Sequence, residues 1–388
     1  VKALLAALAL LLLSALDVAA EGAEPYKWRV PAWLPPPLTP DFNPMSEAKA
    51  DLGRHLFYDG RLSLDGTLAC GSCHQPARAF TDGRARPTGI TGAVHPRNTM
   101  TLANVGYLPL LTWANPMFIR LEQQALMPLF GEAPVEMGMA GQEDEMFARL
   151  KADPLYREKF AAAFPERRGD TNRGAIDLGT IVRALAAFQR GLISADSPYD
   201  RYRYGGQPDA IPAAARRGEA LFFSERLECF HCHGGLHFTD SIVHSAKPLA
   251  EIGFHNTGLY NLDGKGAFPP DNQGLFEFTQ NPQDMGRFRT PSLRNVTRTA
   301  PYMHDGSIAT LREAVAHYAA GGRSAGNGAD SPLKSPFMIG FQLADAEIDD
   351  LLAFLESLTD EGFLSDPAFA DPWPAGHPAR ADRRSDGG

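Results

Sequence analysis

The chain has 388 residues, of which 44% are hydrophobic and 21% charged. That balance is globular, fits about two domains and excludes wholesale disorder. Lys and Arg number 37 against 46 Asp and Glu, a formal net charge of -9; with no long basic run, the chain is poorly suited to binding nucleic acid or an anionic membrane surface.

The first element is a secretory signal peptide, expected over residues 1–20. Lys2 precedes an apolar run at 3–16 and a small-residue site at Val18-Ala19-Ala20. The run is shorter than the ~20 residues a spanning helix needs. An uncleaved membrane anchor is the alternative; the expected outcome is export, with no membrane span after cleavage. Residues 21–45, rich in Pro and Trp, are expected to wrap extended over the surface. A helix is expected over 46–57, with Ser46 as N-cap and Ala48, Leu52 and Leu56 on one face. Residues 58–112 read as loop, and 143–164 as helix interrupted near Pro154. Leu178, Ile181, Leu185, Phe188 and Leu192 form a helical stripe within 174–193. The breakers of 194–212 suit a domain linker. Helices follow over 213–223, 310–318 and 343–358, the second with a capping box between Thr310 and Glu313. A flexible tail is expected over 366–388. Strand signals are sparse, so the class is mainly α with long loops and few short strands.

Only four cysteines occur, too few for a disulfide-built scaffold. All four fall in two copies of Cys-x-x-Cys-His, at Cys70-Gly71-Ser72-Cys73-His74 and Cys229-Phe230-His231-Cys232-His233. This is the attachment signature of c-type haem: the thiols add to the vinyl groups and the His supplies the proximal nitrogen to iron. Two local disulfides, or one zinc site drawn from all four cysteines, are the alternatives, and zinc leaves both histidines unexplained. We read two covalently bound haem c groups, ligated by His74 and His233, in an exported chain that keeps no cysteine for a disulfide. Each half runs helix, haem motif, loop, helix, a weak internal duplication that divides the chain into haem c domains at 46–205 and 206–365. An open sixth position on iron permits peroxide chemistry, whereas a filled one makes an electron-transfer haem.

At these motifs the sequence resembles the bacterial di-haem cytochrome c peroxidase family, particularly its MauG-like branch. The resemblance runs through residues 52–83, 96–107, 121–138 and 288–318. The wording around 95–107 and 111–116 is also similar to the methanobactin-associated di-haem enzyme subgroup. The resemblance implies a periplasmic enzyme with a high-spin peroxidatic haem in the first domain and a low-spin, Tyr-ligated haem in the second. Tyr318 stands fourteen residues after His304 of Pro301-Tyr302-Met303-His304-Asp305-Gly306, where ordinary family peroxidases carry a Met ligand and MauG-like enzymes a Tyr. Tyr318 is thus the implied distal ligand of the second haem, against the alternative of a structural Tyr with a bonded hydroxyl. A phenolate is an anionic, hard donor that lowers the potential and favours high-valent iron. The first haem looks open: Gly89-Ile90-Thr91-Gly92 holds no His where many relatives have a distal one. His95, directly before Pro96, is either a loop residue or a switchable ligand.

The peroxide pocket implied by the resemblance comprises Gln124, Pro128 and Glu136, although Glu136 lies two residues further from Gln124 than in relatives and could be a solvated loop carboxylate. Trp113 corresponds to the family's inter-haem Trp, the alternative being a core Trp. The surface Trp that MauG carries two residues before its second haem motif is here Leu227. A calcium ion is implied between the haems, held by the Asn98 side chain and the carbonyls of Thr299 and Pro301 with waters; Asn98 could instead cap a turn.

Three functions remain in view. A MauG-like oxidase uses hydrogen peroxide to reach a high-valent, bis-Fe(IV)-like state and oxidises aromatic residues, Trp above all, of a partner protein by long-range electron transfer. In the methanobactin-associated subgroup this converts a partner Trp to kynurenine. A cytochrome c peroxidase instead removes peroxide with electrons from a small cytochrome c. A pure electron carrier has both irons six-coordinate. Tyr318 and the missing loop His favour the first; a monomer is expected.

Overall fold

The first helix begins where its cap requires. The Ser46 hydroxyl accepts the Lys49 backbone N–H at 3.2 Å, and Leu52 and Leu56 of the Glu47–Phe57 helix are fully buried. The computed structural model describes residues 26–167, 175–326 and 328–381; the expected signal peptide lies outside them. Asp153 caps a second helix at Pro154, which breaks the helical stretch into Glu143–Ala152 and Pro154–Ala163. Among the described residues four two-residue strands form two small sheets. Phe254–His255 pairs antiparallel with Phe288–Arg289, and Tyr260–Asn261 pairs parallel with Ala325–Gly326. No helix among the described residues is long and apolar enough to cross a membrane.

The duplication is far more detailed than the haem motifs suggest. The Glu47–Phe57 helix crosses the Leu178–Arg190 helix at Gly53, where an added Cβ would lie 1.9 Å from the Ala184 carbonyl oxygen and 2.9 Å from the Phe188 Cβ. In the second half the Ala213–Phe222 helix crosses the Asp345–Glu356 helix at Gly218, where the same atom would lie 1.9 Å from the Asp350 oxygen and 2.8 Å from the Phe354 Cβ. Only glycine permits either approach. Phe80-Thr81-Asp82 after the first motif matches Phe238-Thr239-Asp240 after the second, with Phe80 and Phe238 at φ 62° and 52°. Asn104 and Asn295, at φ 60° and 59°, each open a short turn of 3-10 helix.

Each half has its own core, one around Leu52, Phe57, Phe160 and Leu185 and the other around Tyr199, Phe222, Phe238 and Phe354. A third cluster joins them. There Trp113, from the first half, packs with Leu259, Phe268 and Phe288 of the second.

Two segments differ from expectation. The 194–212 stretch is not a bare linker. Ser197 caps a Pro198–Arg203 helix, and buried Asp200 receives both Arg294 guanidinium nitrogens at 2.8 and 3.0 Å. Tyr199 packs on Phe354, so the second core begins before the boundary expected at residue 205. Residues 366–381 of the expected tail are also held in place. Trp373 is 4% exposed and donates its Nε1–H to the His55 carbonyl at 3.1 Å. Farther along, Gly60 N–H donates to the Ala379 carbonyl at 2.8 Å. One large aromatic anchor outweighs the breakers around it, and residues 363–379 complete the first core.

Candidate di-haem active site

None of the four cysteines is in a disulfide. Cys70 packs against the first core and Cys229 against the second, which removes the single four-cysteine zinc site. Each pair forms one helical turn, Cys70–Cys73 and Cys229–Cys232, with the motif His as its C-cap. The His74 Nδ1 lies 2.7 Å from the Phe80 carbonyl oxygen and the His233 Nδ1 lies 3.1 Å from that of Phe238. A carbonyl only accepts, so in both rings the proton sits on Nδ1 and the Nε2 lone pair is left for a metal. Burial lowers both imidazole pKa values against the opposing pull of these carbonyls, which keeps the rings neutral as ligands must be.

Tyr318 projects from the Leu311–Ala319 helix, whose start is fixed by the expected Thr310–Glu313 capping box. It lines the same cavity as Cys229, Cys232 and His233. Burial holds its phenol above the ordinary range, the neighbouring Cys232 and Cys229 thiols push it further, and no hydrogen bond among the described residues relieves it.

Asn98, Trp113, Thr299 and Pro301 line that cavity too. Asn98 joins several segments. Its Nδ2 donates to the Arg84 and Ala85 carbonyls at 2.8 and 3.2 Å, its N–H to the His304 carbonyl at 2.8 Å, and its own carbonyl accepts the Trp113 indole N–H at 2.8 Å. Its amide thus tethers two loops instead of capping a turn, and leaves Oδ1 uncommitted among the described residues. The Thr299 and Pro301 carbonyls likewise accept no hydrogen bond there. Trp113 is only half-buried, and its carbonyl accepts the Arg289 N–H at 2.8 Å.

On the other side, Gln124 ends the Leu121–Gln124 helix and Pro128 lies one turn on, in Leu126–Phe130. The Pro128 carbonyl accepts the Met137 N–H at 2.9 Å, bringing Glu136 alongside. Glu136 is no solvated loop carboxylate: burial pushes its carboxyl up to about 7. The Cys70 and Cys73 thiols are pushed up to about 12, first by burial and in part by Glu136 itself. Glu136 therefore faces the first haem motif. Its carbonyl accepts the Ile90 N–H at 2.8 Å, so the loop without a His lies against it. His95 is tied back instead, its Nδ1 accepting the Arg97 N–H at 3.0 Å.

Known proteins can be set beside this geometry. A family model described as di-haem cytochrome c peroxidase matches residues 47–208. Cytochrome-c peroxidase IdrP1 of Denitromonas iodatirespirans is 38% identical over 344 residues, 84% of this chain and 85% of that protein. The chain belongs to the di-haem cytochrome c peroxidase family. Methylamine utilization protein MauG of Methylophilus methylotrophus is 35% identical over 340 residues, 87% of this chain and 89% of its own length. The crystal structure of a MauG-like protein associated with microbial copper homeostasis is 50% identical, covers 90% of this chain and all (100%) of its own, and superposes with a TM-score of 0.85.

As a member of this family the chain is a di-haem oxidoreductase, and two haem c groups follow. The residues fit them. Beyond the two motifs, the decisive feature is Arg289, 1% exposed. Its guanidinium donates to the Thr112 and Thr290 carbonyls and faces the Met100 sulfur at 3.7 Å, all neutral groups. Arg294 is as deeply buried but has the Asp200 carboxylate. No carboxylate among the described residues forms an ion pair with Arg289, a costly state for a buried cation; burial drags its pKa down to about 10, only partly opposed by the more distant Asp240. Arg289 lines the His233 cavity, where it would hold a carboxylate of a bound haem. Sequence reasoning missed Arg289 and the two imidazole-orienting residues, Phe80 and Phe238. The repeated Phe-Thr-Asp was the signal for the latter; nothing in the sequence marks Arg289 as unpaired.

Proposed function

We propose that this chain is an exported, periplasmic oxidase that takes hydrogen peroxide as oxidant and withdraws electrons over long range from aromatic side chains, Trp above all, of a partner protein. The observation that carries the reading is Tyr318, a half-buried phenol with no hydrogen-bond partner among the described residues, in the cavity wall it shares with His233. The haems supply the redox chemistry, accepting oxidising equivalents from peroxide and electrons from the partner. Their irons would be held by His74 and by His233 with Tyr318, and their macrocycles by Cys70, Cys73, Cys229 and Cys232.

The remaining steps belong to the protein. Burial disfavours the Tyr318 anion, so the phenol ionises only against a cation in the cavity; as phenolate it is a hard, anionic donor suited to storing oxidising equivalents. Glu136, with a pKa of about 7, accepts a proton from one peroxide oxygen and returns it to the other at neutral pH. Gln124 orients the peroxide by hydrogen bonding and Pro128 shapes the pocket. Trp113, fixed to Asn98, provides the indole between the two haem sites. A calcium ion is proposed at Asn98 Oδ1 and the Thr299 and Pro301 carbonyls, three neutral hard donors completed by water.

The copper-homeostasis association of the MauG-like relative at 50% identity points to an exported protein of that process as the partner. The name of the 38% identical relative favours a second reading, reduction of peroxide by a small cytochrome c. Haem-loaded enzyme should be given peroxide with either a Trp-bearing exported protein of copper homeostasis or reduced cytochrome c. Tandem mass spectrometry locating oxidation at a partner Trp supports the oxidase. Rapid cytochrome oxidation with every partner Trp intact overturns it.

A further inference from the structure

Leu227, 4% exposed, stands where the resemblance places a surface Trp, so an oxidising equivalent must leave by other residues. A phenol yields an electron readily only if its proton has somewhere to go. Among the described residues three tyrosine hydroxyls donate to carboxylates: Tyr156 to Asp59, Tyr199 to Glu219 and Tyr260 to Asp305. Tyr156 and Tyr199 are 0% and 4% exposed, out of a partner's reach, and Asp59 is already paired with Arg61. Tyr302, on the cavity wall, donates to the Val296 carbonyl, which cannot take its proton.

Tyr260 differs from all of these. It is half-buried at the surface beside exposed Leu262, and its hydroxyl lies 2.6 Å from the Asp305 carboxylate. Its ring centroid is 5.4 Å from that of Phe268, which in turn is 6.2 Å from Phe288 and 6.1 Å from His304. Phe288 and His304, stacked at 3.6 Å, line the cavity of His233, Tyr318 and Trp113. Packed aromatic rings therefore run without a gap from the cavity wall to the surface.

We propose that Tyr260, with Asp305 as its proton acceptor, is the relay through which oxidising equivalents pass from the haem pair to the partner protein. The inference rests on the oxidase reading above. In the relay step Tyr260 gives one electron to the peroxide-oxidised haem pair and its phenolic proton to Asp305, leaving a neutral tyrosyl radical and a protonated carboxyl. One electron from the partner's aromatic residue and the proton returned by Asp305 then restore Tyr260. The Arg323 guanidinium lies 5.8 Å from the Tyr260 ring centroid and disfavours a charged radical cation, so electron and proton leave together. Phe268, Phe288 and His304 hold no charge in this scheme; they are the medium crossed.

The test is electron paramagnetic resonance of the haem-loaded protein frozen after peroxide addition without partner, with optical spectra in parallel. The expected result is a radical signal that narrows with ring-deuterated tyrosine, disappears in Tyr260→Phe and weakens in Asp305→Asn. The oxidised state of Tyr260→Phe should also outlive that of the wild type by about tenfold, its exit being closed. If Asp305→Asn does not fold, slower decay of the wild-type oxidised state in D2O serves in its place. A radical that persists in Tyr260→Phe, with unchanged decay, overturns the relay alone. Optical spectra unaltered by peroxide overturn the oxidase reading and the relay with it.

Discussion

Glu136→Gln is the sharpest probe of the peroxide side, because it removes a proton carrier while preserving shape. With a carboxyl pKa of about 7, about half of Glu136 is ionised at pH 7 and only about 1% at pH 5. If the carboxylate takes the first proton from peroxide, the second-order rate constant rises about tenfold per pH unit below 7 and levels above it. Positioned acid–base groups contribute about 10²–10⁴-fold, roughly 3–5 kcal/mol of barrier. Stopped-flow mixing of ferric, haem-loaded protein with peroxide between pH 5 and 9 measures this directly. The Gln variant should be slower by that factor and flat across the range, with an unaltered resting spectrum. A variant within a few-fold of wild type, or one that keeps an inflection near pH 7, refutes the assignment.

Gly218→Ala forces a Cβ against the Asp350 carbonyl and should cost about 1–3 kcal/mol, read as a lower melting temperature; an unchanged melting curve contradicts the crossing geometry. Arg289→Met deletes a buried cation of the cavity wall and should lower the second haem's reduction potential, by the order of 1 kcal/mol in free energy; a potential that stays or rises contradicts a role for Arg289 beside the bound haem. Elemental analysis should find one calcium per chain, and its removal by a chelator should perturb both haem spectra. Calcium-free protein with normal spectra removes Asn98, Thr299 and Pro301 from the account.

Much of this was legible before any coordinates, for identifiable reasons. Cys-x-x-Cys-His is a covalent requirement, so its chemistry is written in five consecutive letters. The Thr310 capping box and the Ser46 cap are local rules, and both helices start where those rules put them. The misjudged segments are those where a distant contact overrules local composition. Residues 194–212 carry the breakers of a linker, yet Arg294, far along the chain, holds Asp200 in a buried ion pair. The Pro-rich tail reads as flexible until Trp373 finds its place against His55. Gly53 and Gly218 hold corresponding places before a Leu-Phe pair in the two halves, but that they mark helix crossings emerges only in three dimensions. Arg289 is the extreme case, because a missing counter-ion is a property of space and leaves no trace in sequence.

The proposed oxidase requires that His233 and Tyr318 would together hold the second haem's iron and that the iron held by His74 would stay open to peroxide. Electron paramagnetic resonance of the resting ferric protein, compared with Tyr318→Phe, measures this most directly. One high-spin and one low-spin signal in equal amounts, with only the low-spin signal altered by the substitution, is the predicted result. Two low-spin signals, or a low-spin signal indifferent to loss of the phenol oxygen, would contradict it.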